Sequence, residues 1–110
     1  MNKIELGNYR TMSGNTRSRV FTGRDRGESV RTVSRIDELF SPEDMLEIVI
    51  PDDTFSITPS FLEEFLLNIV VRYGKETTRN HLCFKGRYKI ETAFEEAMDR
   101  ILQTKTALEI

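Results

Sequence analysis

His81 and Cys83 are the only histidine and the only cysteine in the chain. Their i, i+2 spacing would put them on one face of a strand. A metal site needs three or four ligands, and no further residues stand at ligand spacing around them. A Cys–His nucleophile needs a third group to orient the base, and none is evident. Half-buried packing on an inner strand is the plainer account, and no metal is expected. Carboxylates occur as sequence neighbours, Asp52 with Asp53, Glu63 with Glu64 and Glu95 with Glu96. Adjacent residues on a helix do not face each other across a cleft, so no hydrolytic dyad and no catalytic residue is indicated. The chain has no Gly-rich Lys-Ser/Thr phosphate loop and no motif that would hold a cofactor. "GRDRG" (23–27) is basic and contains glycine at a helix start, where Arg24 and Arg26 could contact an anion. A tight strand-to-helix turn with solvated arginines is the plainer account.

The richest stretch in hydroxyl and acidic groups is "DDTFSITPSFLEEF" (52–65). Thr58 fits a helix N-cap, Pro59 then falls at the first helical position, and Ile57 could staple onto Leu62. Ser60 with Glu63 offers a competing capping box one step later. A hydroxyl in this place can cap the helix or accept a phosphate that a partner reads.

These groups need elements to carry them. "KIEL" (3–6) and "RSRVFT" (17–22) read as two strands forming an antiparallel hairpin, with a Gly- and Asn-rich loop between. Thr22 with Asp25 would cap a helix whose apolar stripe is Val30, Val33, Ile36 or Leu39, and Phe40. "MLEIVIP" (45–51) is the strongest strand, β-branched and nearly continuous, as a strand buried on both faces would be. A helix over 58–73 follows, with Phe61, Leu62, Phe65, Leu66, Ile69 and Val70 on one face, Leu67 and Val71 widening it, and Gly74 ending it. "GKETTRN" reads as a loop and "HLCFK" (81–85) as a strand. The last helix spans about 91–108, with Ile90, Phe94, Ala97, Met98, Ile101, Leu102 and Leu108 as its stripe and Thr92 with Glu95 as a capping box. The order β-β-α-β-α-β-α predicts an α/β fold with a small, mixed, mainly parallel sheet, covered mostly on one face.

A chain of 110 residues is one domain's worth, and 38% apolar with 31% charged residues is a globular balance. The longest apolar run, "FLLNIVV" (65–71), is too short to span a bilayer, and the N-terminus does not read as a signal peptide. With a single cysteine, a cytoplasmic location is expected and no membrane partner. Net charge is −2, yet residues 10–35 carry Arg10, Arg17, Arg19, Arg24, Arg26, Arg31 and Arg35 against Asp25 and Glu28. A basic third on an acidic body suits an acidic partner surface, a phosphorylated ligand, or nucleic acid met through the segment 17–35. Phe21 is the one aromatic residue among those arginines, too few for a stacking platform, and the sequence pI of about 5.5 runs against nucleic acid.

"IVIPDDTFSITPSFLEEFL", with "GRDRGESVR" upstream and "HLCFKG" and "IETAFEEAMDRIL" downstream, resembles STAS domains, and more closely the bacterial STAS-like domain of unknown function. The resemblance covers about residues 17–103. It implies a β/α interaction module without enzymatic activity, related to anti-sigma factor antagonists. It implies as partner a histidine-kinase-type ATPase or an anti-sigma-like kinase. It also implies a phosphorylation switch in an Asp-Ser-Ser-Gly motif at the start of this helix. An ungapped match places Pro59 on the acceptor and Ile57 on the preceding acid, leaving Ser60 as the adjacent hydroxyl. On this reading the partner surface comprises Asp53, Thr54, Ser56, Thr58, Ser60, Glu63 and Glu64, with Ser60 the phosphoacceptor.

Overall fold

The computed structural model describes residues 2–10, 12, 13 and 16–108, and for 12, 13, 16, 17 and 105–108 the backbone alone. Among them the strands are β1 (Asn2–Glu5), β2 (Met12–Ser13), β3 (Thr16–Arg17), β4 (Val20–Phe21), β5 (Leu46–Val49), β6 (Ser56–Ile57) and β7 (Leu82–Lys85). The helices are α1 (Arg24–Ser34), α2 (Ile36–Leu39), α3 (Pro59–Phe65), α4 (Leu67–His81) and α5 (Glu91–Leu108), with one 3-10 turn at Leu6–Tyr9. The fold is α/β, and β5 is the centre of a parallel sheet ordered β1-β5-β7.

Register puts Ile4, Ile48 and Phe84 side by side, and Leu46 beside Leu82. Ile4, Leu46, Ile48 and Leu82 are buried, and the Phe84 ring meets Phe94 of α5 at 5.0 Å. The alternate positions Lys3, Glu47, Val49, Cys83 and Lys85 are half-buried or exposed. Helices therefore cover one face of the sheet. The expectation that β5 is buried on both faces is corrected: it alternates, as a strand with one wet face must.

The expected antiparallel hairpin is also replaced. β1 runs parallel to β5, while β4 runs parallel to β6 with Val20 opposite Ser56 and Phe21 opposite Ile57. Ladder bonds from Phe55 N–H to the Arg19 carbonyl (2.7 Å) and from Thr58 N–H to the Phe21 carbonyl (3.1 Å) extend that pair. Among the described side chains of "RSRVFT" only Phe21 is buried, which suits a short ribbon rather than a core strand. The small antiparallel pair is instead β2–β3, which occupies the predicted loop and takes in Arg17 at its end.

α1 stops at Arg35, whose φ of 59° is left-handed, and α2 continues in a new direction. The turn buries Ile36 and Phe40 but leaves Val33 at 64% exposed, so the expected stripe through Val33 is corrected to Val30 and Ser34. Gly74 does break its helix, at φ 85°, yet residues 75–81 beyond it are helical rather than a loop. Two links hold them. Thr78 is buried and donates to the Gly74 carbonyl at 2.7 Å, and Lys75 and Arg79 pair with Asp99 and Glu95 of α5. The helix thus absorbs His81, whose Nδ1 donates to the Asp44 carbonyl (2.9 Å), so His81 and Cys83 do not share a strand face.

α5 begins at Glu91, with Phe94 N–H bonded to the Ile90 carbonyl at 2.8 Å. Thr92 therefore lies inside the helix and is not its cap. Ile90, Phe94, Ala97, Met98 and Ile101 are buried as the stripe requires, while the Leu108 side chain lies outside the described residues. α3 packs between α1 and α5, which places the stretch 58–65 at the centre of the helical layer. Among the described residues no helix is long and apolar enough to cross a membrane.

Candidate functional site

Thr58 caps α3. Its backbone is extended (φ −88°, ψ 154°), its Oγ1 accepts the Phe61 N–H at 3.3 Å, and Pro59 occupies the first helical position. Oγ1 also accepts the Gly23 N–H at 3.4 Å and lies 3.0 Å from Ser60 Oγ. A hydroxyl has two acceptor lone pairs and one proton. With both lone pairs taken by N–H groups, Thr58 donates to Ser60. One threonine thus ties the starts of α1 and α3 together and orients the Ser60 oxygen. Gly23, at φ 87°, stands at the N-cap of α1 where Thr22 was expected, and no side chain caps that helix.

The two helices then cross at backbone contact. A Cβ on Gly27 would lie 2.2 Å from the Phe61 carbonyl oxygen, so only glycine fits. One turn on, the Arg31 guanidinium donates to the Glu64 carbonyl and lies 3.3 Å from its carboxylate. Arg24 Nη2 lies 2.6 Å from Glu63 Oε2, Arg100 Nη1 lies 3.2 Å from Glu63 Oε1, and Arg100 reaches Glu96 at 2.6 Å. Glu63 is only 5% exposed, so both of its oxygens are spent on arginines. The Glu63 carboxylate in turn holds Arg100 above the ordinary guanidinium range. Glu63 and Glu64, read from sequence as partner contacts, and Arg24, read as an anion contact, face one another across the α1–α3 seam. Arg26 donates to the Tyr9 carbonyl at 2.5 Å. A cavity of about 220 Å³ lies beside Arg24, Glu63, Arg100 and Ile101.

The remaining candidates lie on the turn between β5 and β6. Asp53 receives both terminal nitrogens of Arg10, which depresses its carboxyl below the usual range, and Arg19 Nε donates to its carbonyl at 2.8 Å. Thr54 is half-buried, and so is Ser56 within β6. Between them Phe55 stands 74% exposed, the most exposed large apolar side chain among the described residues. Val20, opposite Ser56, is also exposed, and Asp52 faces Arg87 at 3.9 Å across open surface. Behind the turn, the Tyr88 hydroxyl accepts the Ile57 N–H (3.1 Å) and donates to the Ile57 carbonyl (3.3 Å), fixing β6 from its far side.

The sequence reading placed the hydroxyls and acids of 53–64 together, and the structure divides them into two parts. Asp53, Thr54 and Ser56 form a turn around Phe55, and Thr58, Ser60, Glu63 and Glu64 form the seam with α1. Sequence reasoning missed Phe55, Tyr88, Gly27 and Arg100, and read Arg31 as part of a basic surface rather than as a partner of Glu64. A solvent-facing phenylalanine between two acids and a strand was the available signal for the first. Among the described residues no group of three or more His, Cys, Asp or Glu is arranged to hold a metal. Comparison with known proteins returns no matching family model, no matching curated protein and no matching solved structure.

Proposed function

We propose that this chain is a non-enzymatic regulatory module that docks a protein partner through the turn at the carboxyl end of β5, with Phe55 as the anchor. The observation that carries the reading is the exposure of Phe55, 74%, on a turn held by Arg10 at the Asp53 carboxylate and by Arg19 at the Asp53 carbonyl, with Tyr88 fixing the adjoining β6 at Ile57. A large aromatic on a pre-organised turn loses little conformational entropy on binding, and aromatic anchors dominate interface energetics. The carboxyl end of a parallel sheet is also where ligands of open α/β folds gather. The resemblance to STAS-like domains supports a histidine-kinase-type ATPase as the partner.

Ser60 is the regulatory acceptor in this proposal. Its oxygen accepts from Thr58, so a phosphate there would bring about −2 charge to the cap that joins α1 and α3. The change would be felt two residues from β6 and hence at the turn bearing Phe55. Affinity purification with wild-type bait is expected to recover an ATPase, and Phe55→Ala is expected to bind it at least tenfold more weakly with an unchanged circular dichroism spectrum. Ser60→Glu should also weaken it. Equal affinity of wild type and Phe55→Ala for the recovered ATPase would reject the docking face. A wild-type bait that recovers no ATPase would reject the partner class.

A further inference from the structure

Among the described residues, two buried side-chain polar atoms have no hydrogen-bond partner, Arg10 Nε and Thr54 Oγ1. Both flank the junction between Arg10 and Asp53. The Arg10 side chain is 8% exposed, its terminal nitrogens grip Asp53, and its Nε–H is left over. A buried N–H without an acceptor carries its full desolvation cost, and native proteins rarely leave one so unless a water or ion completes it. Arg10 also lines a hollow of about 200 Å³, together with Asn8, Tyr9, Arg26, Ser29 and Val33. None of the described residues lining it is acidic. Arg26 spends one amino group on the Tyr9 carbonyl, and a guanidinium has five N–H donors, so others remain for a ligand.

Charge defines the orientation of that ligand. Asp25 and Glu28 line the neighbouring hollow, which shares Ser29 and Val33 as its wall. An anion is therefore drawn to the Arg10–Arg26 side and repelled from the other. The volume lies below the range for drug-sized ligands, which suits an oxyanion with a short organic stem. We propose that this hollow binds a phosphate monoester, its oxygens accepting from Arg10 Nε, Arg26 and the Ser29 hydroxyl, and its stem lying on Val33. This is separate from docking at Phe55, although Arg10 holds the turn that carries Phe55 through Asp53.

The test is a titration of the ¹⁵N-labelled protein with phenyl phosphate, following the arginine Nε–Hε resonances at constant ionic strength against a sodium chloride control. The Arg10 and Arg26 resonances are expected to shift and saturate, with affinity at least tenfold weaker in Arg26→Gln and in Ser29→Asp. Ser29 is exposed, so Ser29→Asp keeps the fold and decides the matter if Arg26→Gln is unstable. Parallel titrations with glycerol 3-phosphate and with a phosphoserine peptide identify the natural source: tighter binding of the first indicates a small metabolite, of the second a modified protein. Shifts that follow chloride without saturating would overturn the site, as would saturable binding indifferent to both substitutions.

Discussion

At Gly27 a methyl group would meet a carbonyl oxygen that α3 has no freedom to move, because the Thr58 cap and the Arg31 bond fix it on either side. Gly27→Ala is therefore expected to cost about 3 kcal/mol, the upper end of overpacking, read as a lowered urea midpoint with an unchanged slope. At this scale legibility divides by distance along the chain. The Thr58 cap, with Pro59 and Ile57, was readable because all three lie within four residues of the bond they make. Gly27 was unreadable because its reason is Phe61, in another helix. Glu63 and Glu64 looked like free surface acids for the same cause: Arg24, Arg31 and Arg100, which neutralise them, lie far off in sequence.

Among elements, the break in α4 shows how tertiary charge overrides local composition. Gly74 and the polar run after it read as helix end and loop, yet Lys75 and Arg79 stand one turn apart and both meet carboxylates on α5. Hydrogen bonding from Arg79 depresses the Glu95 carboxyl below its ordinary value of 4.5. A carboxyl depressed in the folded state contributes stability that is present above its unfolded value and is lost as pH falls through its folded value. The tether between α4 and α5 should thus contribute fully above pH 4.5 and be lost as pH falls through the depressed Glu95 value below it. A ¹³C titration of the Glu95 carboxyl should show a midpoint under 4.5, and Arg79→Gln should return it towards that value. The same long-range logic hid the sheet. β5 was legible from its β-branched composition and α5 from its periodicity, whereas the partners of β1 and β4 depend on which strand can supply a buried neighbour, a choice made across the chain.

For the whole molecule, the uneven charge of the sequence becomes internal cross-linking. Arg10, Arg19, Arg24, Arg26, Arg31 and Arg35 each have a protein acceptor, at Asp53, the Asp53 carbonyl, Glu63, the Tyr9 carbonyl, Glu64 and Glu38 respectively. The Arg17 side chain lies outside the described residues. Arginines engaged this way release few counterions from a polyanion, so duplex and single-stranded DNA should bind weakly and with a shallow salt slope. Fluorescence anisotropy at two salt concentrations measures this, and a steep slope with saturable binding would favour the nucleic-acid reading instead.

The seam between α1 and α3 also sets an order of events during synthesis. Gly23 must wait 35 residues for Thr58, and β4 and α1 gain their neighbours only when β6 and α3 have been made. At roughly 5–20 residues per second, that is an interval of about 2–7 s between the synthesis of Gly23 and that of Thr58. For those seconds the arginine-rich segment is without the acids that later neutralise it. The nascent chain is at its most basic when Arg35 has just been added, well before Glu63 and Glu64 follow.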